Sequence, residues 1–184
     1  MGKKLESITE ELAAWLSEQH LFFVATAPLA ADGLVNLSPK GLDSFRVLSP
    51  NQVAYLDLTG SGAETIAHLR ENGRIVLMFS AFNGPPKIVR LHGRGTVVTK
   101  GHPQWEEWLG LYPLSRGVRS VIVVDVTRVS ESCGYAVPKM DFVEDRETLV
   151  RWADKKNDEE LVNYRLNKNQ RSIEGLPALR SDEA

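Results

Sequence analysis

Apolar positions along this chain come in short blocks, most of them strand-length, separated by Gly, Pro, Asn and Asp. The first block is different. Leu12, Trp15 and Leu16 are spaced for one face of a helix, which Ser7 and Glu10 open as a capping box and which ends near His20. Residues 21–27 are a continuous apolar run and read as a strand. Ala31-Asp32-Gly33 marks a turn, and residues 34–38 return as a second strand, so the pair forms a hairpin interrupted at Pro39-Lys40-Gly41. Residues 45–48 are short and irregular. Residues 53–58 are a strand that ends in Gly60-Ser61-Gly62, and a helix with Ile66 and Leu69 on one face follows and stops at Asn72-Gly73. Residues 74–82 form a buried strand, and Asn83-Gly84-Pro85-Pro86 a turn. Residues 87–99 form a long strand in which Gly93 and Gly95 suggest a bulge. Residues 103–111 are helical and carry Trp105 and Trp108, and 119–129 are a last long strand. Beyond an irregular stretch at 133–142, residues 144–155 and 158–166 read as helices, and 168–184 as an extended tail ending in charge.

Strands outnumber helices and follow one another through short turns. That pattern predicts an antiparallel sheet closed into a barrel, with helices at its gaps and ends. At 184 residues, folding hides about 70% of the extended chain's surface, enough for one real core. Charged residues are 25% and the net charge is −2, so no global field favours nucleic acid or an anionic membrane. The single cysteine, Cys133, excludes an internal disulfide and any multi-cysteine zinc site. No apolar run approaches the roughly 20 residues of a membrane span. The expected location is cytoplasmic.

The chemistry concentrates at residues 55–72. A strand that feeds a helix through glycines leaves backbone N–H groups unpaired at the positive end of the helix dipole, where phosphate binds readily. The same residues also have a plain reading, because Ser61 and Glu64 spell a capping box that starts a helix with no ligand. Two familiar phosphate loops are excluded: no Gly-Lys-Ser/Thr follows, and the third glycine of a dinucleotide fingerprint is Thr65, with Asn83 where an acidic residue belongs. Two other segments converge on the same chemistry, Asn36-Leu37-Ser38-Pro39-Lys40-Gly41 and Lys87-Ile88-Val89-Arg90-Leu91-His92-Gly93. With the glycine turn they supply hydroxyls at Ser38, Ser61 and Thr65, and cations at Lys40, Lys87 and Arg90, suited to a phosphate or a ring carbonyl.

These segments resemble the pyridoxamine 5'-phosphate oxidase-like family of FMN-binding split barrels, over roughly residues 21–142. The specific parts are the Ser-Pro-Lys-Gly turn at 38–41, the run from Gly60 to Leu69 with Glu-Asn-Gly-Arg-Ile after it, and Arg-Leu-His-Gly-Arg-Gly at 90–95. Residues 132–138 and 168–177 look like one branch of that family. The resemblance implies a six-stranded antiparallel barrel, a homodimer with FMN at the interface, and a small-molecule substrate oxidised or reduced by the flavin. It divides the chain into a flavin-binding barrel, residues 1–142, and a helical extension of the same unit, 143–184. Carried over by position, Lys40 and the adjoining Ser38 and Gly41 belong to the flavin-contacting strand. Leu56 and Asp57 lie beside the isoalloxazine, Ser61 and Gly62 belong to the phosphate turn, and Lys87 lies near the ring. Thr65 joins them by its hydroxyl, and the phosphate charge falls to Lys40, Arg90 or a residue of the partner chain. The family's oxidase carries an Arg-Lys pair in the phosphate turn where this chain has Gly62-Ala63. Its tryptophan and arginine-x-histidine substrate signature is missing, which argues against pyridoxamine phosphate as substrate. A non-catalytic flavin-binding or ligand-sensing module, and haem in the same cleft, are the alternatives.

Other residues invite a role and have a plain explanation. His68 reads as a surface or half-buried helix histidine, His92 as a structural strand residue, and Cys133 as a small buried hydrophobe that would line the flavin site only in the bolder reading. Trp105 and Trp108 read as packing. No Ser-His-Asp order and no metal-binding triplet stands out.

Overall fold

The computed structural model describes residues 2–113 and 116–184. Its elements run β1 (Lys3–Leu5), α1 (Glu10–Ser17), β2 (Phe22–Thr26), β3 (Asn36–Lys40), β4 (Phe45–Ser49), β5 (Gln52–Leu58), α2 (Glu64–Asn72) and β6 (Arg74–Ser80). Then follow β7 (Ile88–Val98), α3 (Trp105–Leu109), β8 (Val118–Ser132), α4 (Thr148–Asp154), α5 (Asp158–Lys168) and a 3-10 turn at Ser181–Glu183. All strand pairings are antiparallel, in the order β3-β2-β6-β7-β8-β5-β4, with β1 added to the far end of β8. The expected class holds, a mainly β split barrel with helices. Among the described residues the sheet has eight strands rather than six, because the short β1 joins it and Phe45–Ser49 forms a regular edge strand.

The sheet curls because β7 and β8 are long and bend together. Their register shifts between His92 and Gly93, and a side chain at Gly93 would place its Cβ 2.3 Å from the Asp125 carbonyl oxygen. The glycine therefore permits a close strand crossing that no other residue allows. Curling brings β2, β4 and β6 together inside. Phe22 lies 5.5 Å from Phe45, and Phe45 lies 4.8 Å from Phe79, ring centre to ring centre. Leu12 and Leu16 of α1 join this core. Strand β8 is apolar on both faces, because Ile122 and Val124 face the barrel while Val121 and Val123 lie under Trp105 and Trp108. A strand covered on both sides reads as a continuous run, and the two tryptophans are packing residues as expected.

Local signals were displaced in several places. Thr9, not Ser7, caps α1, its hydroxyl accepting from the Leu12 N–H at 3.2 Å. Pro39 does not interrupt β3 but lies inside it, which an edge strand tolerates. Helix α2 stops as read, at Gly73 in the left-handed region (φ 71°). The segment after α5 is not a loose tail. Ala178 and Leu179 pack on Ala63, Ile66 and Ala67 of the α2 end, and Glu183, 3% exposed, receives Arg70 and Thr99. Cys133 is exposed, not buried. None of the helices among the described residues is long and apolar enough to cross a membrane.

Candidate functional site

The edge strand β3 and the end of β5 face each other without pairing. The gap is a cleft of about 970 Å³. The end of β3 forms one wall and the end of β5 with the glycine loop forms another. Residues 142–149, with Trp152 of α4 and Tyr164 of α5, cover it.

Asp57 organises the floor. It is the penultimate residue of β5 and is 1% exposed. Lys40 Nζ donates to its Oδ1 at 3.0 Å, linking the edge strand β3 to β5, while Arg119 Nε and Ser120 Oγ donate to Oδ2 at 2.9 and 3.0 Å. Burial by itself pushes the Asp57 carboxyl pKa up. The charges of Arg119 and Lys40, with the hydrogen bonds they donate, more than reverse this and hold it far below the ordinary carboxylate range. The carboxylate is therefore a permanent anchor, and the two cations leave one net positive charge at the floor.

The glycine loop stands above it. Arg119 continues from Asp57 to the loop, donating from Nη1 to the Gly62 carbonyl at 2.7 Å. The capping reading of Ser61 fails here: the N-cap position of α2 is Ala63, no side chain caps it, and Glu64 instead accepts from the Ile173 N–H at 3.3 Å. The helix start thus faces the cleft with its dipole end uncapped. On the far side, Arg165 of α5 donates to Thr59 Oγ1 at 3.0 Å and Asn169 donates to the Gly60 carbonyl at 2.9 Å. Burial first, and then the Arg119 charge nearby, lower the Arg165 pKa from its ordinary value.

The residues expected to gather do so only in part. Ser38, Lys40, Gly41, Leu56, Asp57, Ser61, Gly62 and Thr65 all line the cleft. Thr65 Oγ1 is already occupied, accepting from Asn36 Nδ2 at 3.0 Å. Lys87 and Arg90 are not in the cleft of this chain. Lys87 Nζ sits 4.2 Å over the Trp15 ring, and Arg90 donates to Ser132 Oγ at 3.1 Å. Cys133 is likewise not in the lining. His68 is fully buried rather than at the surface, within 3.0 Å of Thr26 Oγ1 and 3.6 Å of a Glu174 oxygen, part of a polar seam that runs through Asn36. No group of three metal-ligating side chains occurs among the described residues.

Sequence reasoning missed Arg119, although a lone Arg-Ser pair in the apolar run of β8 was a signal. A cation there needs a buried partner. Asn169 gave no local signal at all.

The family profile for pyridoxamine 5'-phosphate oxidase matches residues 8–133. The chain belongs to that family. A curated relative, the pyridoxamine 5'-phosphate oxidase family protein ustO of Aspergillus flavus, is 42% identical over 194 aligned positions, spanning 96% of this chain and 77% of that protein. Among solved structures, a histidine-to-alanine variant of HupZ from Group A Streptococcus superposes with a TM-score of 0.55 at 24% identity, covering 68% of this chain and 99% of the other. A putative pyridoxamine 5'-phosphate oxidase from Lactobacillus delbrueckii gives 0.54 at 23% identity, covering 69% and 98%. These two likenesses establish the family's fold and leave the function to the site. Residues 134–184, which build the cover of the cleft and the brace behind the loop, lie outside the family match.

Proposed function

We propose that this protein binds FMN in the cleft and acts as an oxidoreductase on a small molecule, as a homodimer with the flavin at the interface. The observation that carries this reading is the uncapped start of α2 opening onto the same cleft as Lys40, Arg119 and the apolar Leu56 and Leu58. That arrangement suits a ligand with an anionic end and a planar apolar body. The phosphate falls to the N–H groups and hydroxyl of Ser61 and to Gly62. The ring falls to the β3 end, Ser38 to Gly41, with Lys40 toward its carbonyl edge. Bound flavin would supply hydride transfer, and the protein binding, orientation and charge.

The fixed charge available in one chain is small, because Asp57 takes part of the charge of both Lys40 and Arg119 and Glu64 stands at the rim. That is the physical reason to look to a second chain. Lys87 and Arg90 keep a place in this reading only as residues a partner contributes. The interior of the cell is the proposed location. Pyridoxamine phosphate itself is not the proposed substrate. Haem is the second reading, because His20 is exposed in the cleft wall and stacks on Phe142 at 3.7 Å through its ring face, which leaves the ring nitrogens to point elsewhere.

A spectrum tests the proposal. Protein reconstituted with FMN should show flavin bands that bleach on anaerobic NADH or NADPH. Flavin bands that neither donor bleaches would leave a binding module, and a Soret band in the protein as purified, with no FMN taken up on reconstitution, would replace FMN with haem.

A further inference from the structure

The glycine loop is braced from behind by residues that lie outside the family match. Asn169 follows α5 and has no exposed surface. Its Nδ2 donates to the Gly60 carbonyl at 2.9 Å and lies 3.5 Å from the Ser61 carbonyl. Its own backbone is pinned on both sides, its N–H donating to the Arg165 carbonyl at 2.8 Å and its carbonyl accepting from the Leu179 N–H at 2.9 Å. Arg165, on the preceding turn, holds Thr59 Oγ1 at 3.0 Å and the Val118 carbonyl at 2.9 Å.

The peptide bonds here are trans. In a trans peptide the carbonyl of one residue and the N–H of the next point in opposite directions. Asn169 does not border the cleft, and Ser61 does. Capture of the Gly60 carbonyl by Asn169 therefore turns the Ser61 N–H away from Asn169. The amide's Nδ2 satisfies the Gly60 carbonyl, while its buried Oδ1 has no partner among the described residues. An apolar side chain at this position would leave the Gly60 carbonyl without its donor.

We infer that Asn169 is a positioning residue that aims the Ser61 amide at the anionic end of the ligand. The C-terminal extension would thereby supply the phosphate preference of a loop, Gly60 to Ala63, that carries no cation of its own. This rests on the flavin reading above and specifies how the phosphate is recognised.

FMN and riboflavin differ by the phosphate alone, so their affinity ratio reads this contact directly. Dissociation constants of both are measured by flavin fluorescence titration for the wild type and Asn169→Ala. The expected result is a loss of FMN affinity of roughly tenfold to a hundredfold, the worth of one charge-assisted contact, with riboflavin affinity within twofold of wild type. A merely structural role would weaken both ligands alike. Equal losses, or no loss for either, overturn the inference while leaving the flavin site standing. A wild type that binds neither ligand, or both equally, removes the phosphate assignment and this inference together. Should Asn169→Ala fail to fold, the ¹⁵N-labelled wild type decides the matter. The Ser61 amide resonance should shift with FMN and not with riboflavin, and an unmoved resonance overturns the inference.

Discussion

Replacing Asp57 by Asn should be the most damaging isosteric change at this site. The carboxylate accepts from Lys40, Arg119 and Ser120. An amide of the same shape has one acceptor oxygen, and its NH₂ must face a cation. Lys40, 20% exposed, can turn to water, but Arg119, 5% exposed, cannot. The cost is that of leaving a buried charge without its partner, about 3–5 kcal/mol. For a chain of this size that lowers the melting temperature by roughly 6–20 °C. The sign of the pH dependence follows from the depressed pKa. Asp57 contributes its full stabilisation above its unfolded value of about 3.9, and loses it as pH falls toward the folded value. Thermal melts at pH 7 and pH 3 should thus show a wide gap between wild type and variant that narrows in acid. Adding Arg119→Met to an Asp57→Leu variant should restore much of the loss, since both charges are then gone. A variant melting within 2 °C of wild type at pH 7, or a gap unchanged at pH 3, would refute this account of the cleft floor.

Ser61→Ala should cost less than about 0.5 kcal/mol without ligand, because Ser61 caps nothing. FMN should then raise the variant's melting point less than the wild type's, and equal gains would place Ser61 outside the site. Lys40→Ala should weaken FMN roughly tenfold to a hundredfold, which a fluorescence titration checks. Glu183→Gln should destabilise by about 1–3 kcal/mol at pH 7, because Arg70 then loses the carboxylate it donates to. Burial raises the Glu183 pKa, but hydrogen bonds from Arg70, Arg180 and Thr99 outweigh it and keep it low. The deficit in chemical-denaturation curves should therefore shrink below about pH 4.3. Gly93→Ala should lower stability by about 1–3 kcal/mol, because its Cβ would strike the Asp125 carbonyl at 2.3 Å, and a melt unchanged from wild type would remove the strand-crossing argument.

Much of the fold was legible because barrels of short strands announce themselves in period and turns. The hairpin of β2 and β3, the strand–glycine–helix unit and the bulge at Gly93 could all be read from the residues. Capping was not legible. Ser7 and Ser61 both fit the pattern, yet Thr9 and Ala63 hold those positions, because tertiary contacts decide where a helix begins. At the site, residues on β3, β5 and the loop could be grouped from their order alone. Lys87 could not be placed, since its ammonium packs over Trp15 of α1, a contact between elements far apart in sequence. The brace of Arg165 and Asn169 was hidden for the same reason. A tail rich in charge and poor in apolar pattern looks solvated until its few apolar residues, Ala178 and Leu179, find α2.

The central claim is that the cleft takes FMN by its phosphate. Equilibrium titration of the purified wild-type protein with FMN, with the complex sized by light scattering, tests it most directly. The account predicts saturable binding of one FMN per chain, tighter than riboflavin by tenfold or more, in a particle of twice the chain mass. FMN that binds no more tightly than riboflavin, or a single-chain particle that binds it fully, would contradict the account.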